Sequence, residues 1–139
     1  MKGVCLNTKE MLLRKSFSLD DNGICSLCDE GHLETRDHLF WRCSFSKQCW
    51  LSINFRLEDN LKLPQLMATA KSNFRRPFFF EVFATASWNL WKQRNALIFD
   101  NVTPSISAWS FSFKRDLFLL SYRMKDDLKS YLVAWLDAL

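Results

Sequence analysis

Cys25-Ser26-Leu27-Cys28, followed by His38 and Cys43, places three thiols and one imidazole within the span 25 to 43. No other feature restricts the fold as tightly. Zn²⁺ takes thiolate and imidazole donors in a closed tetrahedron, and a C-x₂-C pair lets two sulfurs bind from one tight turn. With three thiolates and one histidine all four positions are filled, and no water is left to activate. The alternative is that Cys25 and Cys28 are ordinary buried thiols and His38 a surface histidine. His32 is a rival imidazole, but Gly31-His32 sits in a polar loop where exposure is expected.

The local pattern tests whether these groups can meet. Thr35 reads as a helix N-cap, with Asp37 near the positive end of the dipole, so His38 would project from a first turn. Cys43 comes five residues later, roughly 140° around an ideal helix. Both side chains reach one ion only if that helix ends before Cys43, and Ser44 reads as the N-cap of a following helix.

The run Cys25-Ser-Leu-Cys28-Asp-Glu-Gly-His-Leu-Glu-Thr-Arg-Asp-His38-Leu-Phe-Trp-Arg-Cys43-Ser-Phe-Ser-Lys-Gln-Cys-Trp50 resembles the zinc-binding domain found C-terminal to plant LINE-type (non-LTR) reverse transcriptases. Cys5 to Lys15 is similar to the helix before the metal site in that family, and Ser87-Trp-Asn-Leu-Trp-Lys-Gln-Arg-Asn-Ala-Leu-Ile-Phe99 to a Trp-rich helix after it. The resemblance runs from about Leu6 to Phe99. It implies one structural Zn²⁺ on Cys25, Cys28, His38 and Cys43. Ser26 stands where the family usually has proline, which changes the rigidity of the turn and leaves the ligands intact. The family's first aromatic-basic helix would precede Met1, so the resemblance implies a truncated or standalone derivative of a retrotransposon polyprotein, with its polymerase upstream.

Composition agrees with a small intracellular domain, nuclear or cytoplasmic. The chain has 139 residues, 48% of them hydrophobic, with only three glycines and three prolines, which suits a packed core rather than disorder. Five cysteines with no signal peptide before them fit a disulfide scaffold poorly, and Cys5 and Cys49 are expected to be surplus thiols that pack as small hydrophobes. The most apolar run, Phe78 to Trp91, is broken by Glu81 and Asn89 and is too short to cross a bilayer, so no membrane role is expected.

The fold class expected is all-α, a small zinc-stabilised helical module over 1–55 and a bundle of longer amphipathic helices over 56–139. Asn7 and Glu10 form a capping box for a helix running to about Lys15. Phe17 to Ile24 is a loop. Ser44 to about Phe55 is a helix with Phe45, Cys49 and Ile53 on one stripe. Pro64 opens a short helix to roughly Asn73, and Pro77 is the N1 residue of a long helix ending near Phe99. Thr103-Pro104 starts another, with Ile106, Trp109, Phe113, Leu117 and Leu120 at helical spacing. Asp127 to Leu139 places Leu128, Tyr131, Leu132, Trp135 and Leu136 on one face. The long helix carries two apolar stripes, one through Phe79, Phe83, Ala86, Leu90 and Leu97, the other through Phe80, Ala84, Trp88, Trp91 and Ile98. Such a helix is buried between neighbours or docks a partner. Trp91 and Arg94 are spaced for a cation–π pair.

The net charge of +4 permits attraction to nucleic acid without demanding it. Residues 1–50 hold seven basic and seven acidic side chains, so the excess lies beyond them. The spacing is not that of a retroviral zinc knuckle. Lys71, Arg75 and Arg76, with Lys92 and Arg94, are the candidate contacts to RNA or single-stranded DNA, a solvated helical surface being the alternative. No phosphate loop, nucleophile motif or polymerase metal-binding run is present, and Asp20-Asp21 and Asp126-Asp127 read as turn and cap residues. No enzyme activity and no small-molecule substrate are therefore expected. Three functions compete: a zinc module that binds nucleic acid or positions a polymerase, a protein-interaction module docking a reverse transcriptase or other protein through the Trp-rich helix, and a remnant without selected function.

Overall fold

In the computed structural model, residues 7–58 and 60–139 are described, so Cys5 lies outside them. The described residues form helices joined by loops: α1 (Lys9–Arg14), a π turn (His38–Arg42), α2 (Ser44–Ser52), α3 (Leu63–Phe74), α4 (Phe79–Asp100), α5 (Ile106–Ser121) and α6 (Asp126–Asp137). Among the described residues there is no β-strand, only one antiparallel bridge between Ile24 and Leu33. Among the described residues no helix is long and apolar enough to cross a membrane.

Helix starts differ from expectation by a residue or two, each for a local reason. Thr8, not Asn7, caps α1: its hydroxyl accepts from the Met11 N–H at 3.3 Å, while Glu10 pairs with Arg14 one turn on. Pro77 precedes α4 by two residues, because the backbone first turns at Phe78, whose carbonyl accepts from the Val82 N–H. Ser105, just after Pro104, caps α5 through the Ala108 N–H. Asp126 and Asp127 occupy the first turn of α6 rather than its cap, favourably placed against the helix dipole. At their other ends α3 and α4 stop at Arg75 and Asn101, both in the left-handed conformation with φ of 55° and 53°.

One aromatic core joins α2 to α6. Trp50, Phe55, Phe79, Trp109 and Phe113 are buried in it, with Leu132 and Trp135 from the last helix. Trp109 and Phe113 stack at 5.2 Å with nearly parallel rings, and Phe55 sits among Trp50, Phe74 and Phe79. Residues on both sides of position 55 thus share this core. The expected stripes of α5 and α6 are largely the buried ones, although Tyr131 stays at the surface with its ring edge against Phe78.

α4 departs most from its pattern. Phe79, Ala86, Leu90 and Trp91 are buried, but Phe80 and Ala84 face solvent and Trp88 is half-buried. Polar Asn89 and Arg94 take interior positions that hydrophobic spacing alone does not mark. This helix is the beam on which the amino-terminal segment rests. Trp91 packs into a second, smaller cluster with Cys25, Leu27, Cys28, Leu39 and Cys43.

Candidate metal centre

The loop carrying the first two cysteines is built before any metal chemistry is considered. Gly23 adopts φ +82°, and a Cβ there would come within 2.5 Å of Leu13 Cδ1, so any other residue would be strained in this turn and would have to push Leu13 aside. Asp21 accepts from the Gly23 N–H at 3.0 Å. The two limbs are then clamped together: Glu34 N–H donates to the Gly23 carbonyl and Cys25 N–H to the His32 carbonyl, both at 2.8 Å. Lys9, buried despite its charge, points its ammonium into the loop. It donates to the Ile24 carbonyl and Ser26 hydroxyl at 2.7 Å and pairs with Asp21.

The other two donors are brought into phase by an unusual winding. Thr35 caps the segment as expected, its hydroxyl accepting from the His38 N–H at 2.9 Å. From His38 the chain does not continue as an α-helix. Cys43 N–H donates to the His38 carbonyl at 2.6 Å, an i→i+5 bond that widens the turn to π geometry. One wide turn stacks Cys43 over His38, where α winding would leave them far apart around the axis. Cys43 itself is extended, with ψ 136°, so the helix ends there as predicted. It also serves as N-cap of α2, in the place expected for Ser44.

The result is a buried cluster. One donor atom from each of Cys25, Cys28, His38 and Cys43 lies within 4.8 Å of all the others. His38 Nε2 and Cys28 Sγ are 3.3 Å apart. A tetrahedron with Zn–S bonds of ~2.3 Å has edges of about 3.8 Å, so the four groups are positioned to hold one ion with little rearrangement. His32 is excluded: its exposed ring packs against that of His38 at 5.0 Å and faces Glu30.

Electrostatics prepare the site for a cation. The Cys43 thiol is lowered to about 5, first by a hydrogen bond from Cys25 and then by the Ser46 and Phe45 N–H groups at the start of α2. Cys25 is pushed up by giving its proton toward Cys43 and by burial, and Cys28 by burial. Burial holds His38 below the usual imidazole range, which keeps the ring neutral and able to donate a lone pair. This set suits Zn²⁺, which binds thiolates and neutral imidazole. Cys49, fully buried beside the site, is pushed up to about 12 by burial and then by the charge of Cys43, and stays a thiol.

A buried ion pair ties the centre to α4. Glu34 accepts from Arg94 through both carboxylate oxygens, at 2.8 and 3.2 Å, and from the Lys9 N–H at 2.8 Å. The Arg94 guanidinium lies 4.6 Å from the centroid of the Trp91 ring, the cation–π pair expected from their spacing.

The five candidate nucleic-acid contacts fall into two groups. Lys71, Arg75 and Arg76 are exposed around the α3–α4 corner, Lys71 over the Phe80 ring at 5.0 Å and Arg76 over Phe74 at 5.3 Å. Lys92 pairs with Asp116 at 2.9 Å. Arg94 corrects the sequence expectation: it is 4% exposed and bound to Glu34, so its role is structural. Glu34 went unmarked because nothing in its sequence neighbourhood distinguishes it from an exposed loop acid.

Compared with known protein families, residues 2–50 match the family described as zinc-binding in reverse transcriptase. The chain has no match among curated proteins or solved structures.

Proposed function

We propose that this chain is a non-catalytic zinc module derived from a plant LINE-type (non-LTR) retrotransposon polyprotein, which holds RNA or single-stranded DNA, or positions a polymerase on it. The observation that carries this reading is the closed Cys₃His donor set at residues 25, 28, 38 and 43. Four protein donors leave no position for a reacting water, so such a centre holds structure rather than performing hydrolysis. The match of residues 2–50 to a reverse-transcriptase zinc-binding family supports the same context. Contact with nucleic acid is assigned to the exposed Lys71, Arg75 and Arg76, where cations lie over aromatic rings.

The test is zinc content per chain on protein purified without added metal, followed by binding of a labelled single strand at rising salt. One zinc per chain and an affinity that falls linearly on a log–log salt plot are expected. Absence of zinc, or no oligonucleotide binding at low salt, overturns the respective half of the proposal.

A second reading rests on the surface of α5. Phe111, Phe118, Leu119 and Tyr122 are exposed there, as is Phe80 on α4. A reverse transcriptase or another protein seated on these helices would cover them. Dimerisation, or capture of purified polymerase, that shields these side chains would favour this reading.

A further inference from the structure

The exit of α2 and the end of α3 line a cleft of about 410 Å³. On the α2 side Asn54 is left-handed, with φ 58°, and the residues after it alternate. Phe55 is buried, while Asn54 and Arg56 on either side of it are exposed. On the α3 side exposed Asn73 precedes buried Phe74. Arg75 then stops the helix at φ 55°, and Arg76 folds back, donating from Nη1 to the Phe74 carbonyl at 3.1 Å. Its guanidinium lies 5.3 Å from the centroid of the Phe74 ring. The Phe55 and Phe74 rings, 5.3 Å apart, tie the two sides together in the core, so the polar groups stand outside it on fixed backbone. Polar atoms make up most of the exposed wall, and no acid lines it among the described residues. The side chains of Asn54, Arg56 and Asn73 have no hydrogen-bond or ion-pair partner among those residues. The hollow edged by Arg14, Arg36 and Arg42 differs, because Glu10 and Asp37 line it as well.

We infer that this cleft binds one phosphate group, with Arg56 and Arg76 supplying charge and the Asn54 and Asn73 amides supplying neutral donors. Under the proposed function, on which this assignment rests, the phosphate belongs to the backbone of a bound single strand. Three properties select the ligand. Two cations with no lining acid favour an anion. Each guanidinium is a planar fork of N–H donors that matches phosphate oxygens, and the Phe74 carbonyl and ring already orient that of Arg76. The donors also come from two sides of the cleft, so they suit the divergent oxygens of a tetrahedral phosphate better than a planar carboxylate. The volume lies within the ~300–1,000 Å³ of ligand clefts and leaves room for sugar carbons beside the phosphate. Arg56, Asn54 and Asn73 thereby join Arg76 as contacts, whereas Lys71 and Arg75 lie outside the cleft lining.

The experiment has two arms, both on the zinc-loaded full chain. In the first, inorganic phosphate and acetate are titrated at constant ionic strength while the side-chain N–H signals of Asn54, Asn73 and Arg56 are followed by NMR. Saturable shifts with phosphate, and none with acetate, are expected. In the second, a labelled oligouridylate is bound at about 0.15 M salt. Asn73→Asp places an acid in the cleft and should weaken the strand at least about tenfold. Gln65→Glu adds the same charge to an exposed position two turns back along α3, about a Debye length away, and should change affinity less than about twofold. Replacing Arg56 and Arg76 together by Gln should lower the log–log salt slope by about 0.7, the contribution of one phosphate on a single strand. Equal weakening by Asn73→Asp and Gln65→Glu overturns the cleft and leaves diffuse charge-based strand binding intact. Saturable phosphate shifts without strand binding support the cleft and overturn the nucleic-acid reading. Neither phosphate shifts nor strand binding overturns both. Acetate shifts equal to those of phosphate would make this a carboxylate site, and also overturn the proposal.

Discussion

Glu34 and Arg94, sixty positions apart in the chain, meet as a bidentate ion pair with 0% and 5% of their side chains exposed. Glu34 sits on the loop between the ligands Cys28 and His38, and Arg94 on the helix behind the cluster, so the pair locks the metal-binding segment onto the α4 beam.

Removing one partner leaves the other charged and buried. Arg94→Ala is expected to cost about 3–5 kcal/mol in urea unfolding. Glu34→Gln keeps an acceptor for the Lys9 N–H but leaves Arg94 without a counter-charge, and should cost a similar amount. Combining Glu34→Gln with Arg94→Met should recover much of the loss, because neither charge then remains in the interior. A single-variant cost below about 1 kcal/mol would show that water reaches the pair in solution.

Loss of a ligand should act on the segment the ligand organises. Cys43→Ser is expected to abolish stoichiometric zinc and to expose the amides of residues 8–43 to rapid hydrogen exchange. Structural zinc contributes about 10 kcal/mol or more of apparent binding energy, comparable with the whole stability of a small domain. The aromatic core of α2 to α6 has its own buried apolar surface, so its amides should keep more protection than the metal segment. Full zinc retention and unchanged melting in Cys43→Ser would falsify the ligand assignment.

Gly23→Ala should be among the most damaging single-methyl additions. It combines positive φ with a contact of 2.5 Å to Leu13 Cδ1. A cost of about 1–3 kcal/mol is expected, read as a lower unfolding midpoint. Gly31 has positive φ but open space around a Cβ, so Gly31→Ala should cost less.

Asp116 sets a pH dependence away from the metal. Its carboxyl is held below the usual aspartate range: burial opposes this, but hydrogen bonds from Lys92 and Asn89 outweigh it. A carboxyl depressed in the folded state stabilises above its unfolded value, ~3.9, and loses that contribution as pH falls through the folded value. Asp116→Asn should therefore be less stable than the unmodified chain at neutral pH, by about 1–2 kcal/mol. The difference should shrink once pH drops below about 4. A constant difference down to pH 2 would assign the effect to shape rather than charge.

Sequence pattern carried the all-helical fold, the four ligands and the faces of α5 and α6, because each is a local or strictly periodic signal. Thr35 was legible for the same reason, since a cap needs only the residues that follow it. The π turn was not: spacing showed that His38 and Cys43 are out of phase in an α-helix, and it pointed only to a helix end. Widening the turn by one residue is a tertiary choice. Arg94 shows the same boundary from the other side. On α4 its charge suggests the surface, and only the distant Glu34, itself inconspicuous, draws it inside.

The i→i+5 bond between His38 and Cys43 also makes the metal a selector of register. Relaxed to ordinary α winding, residues 38–42 would carry Cys43 and the whole of α2 through a different rotation, and Trp41 with them. An ion held by both His38 and Cys43 would fix the phase in which the helix enters the aromatic core, so metal loss is expected to be felt at Trp50 and Phe55 as a misalignment of packing as well as a loosened loop.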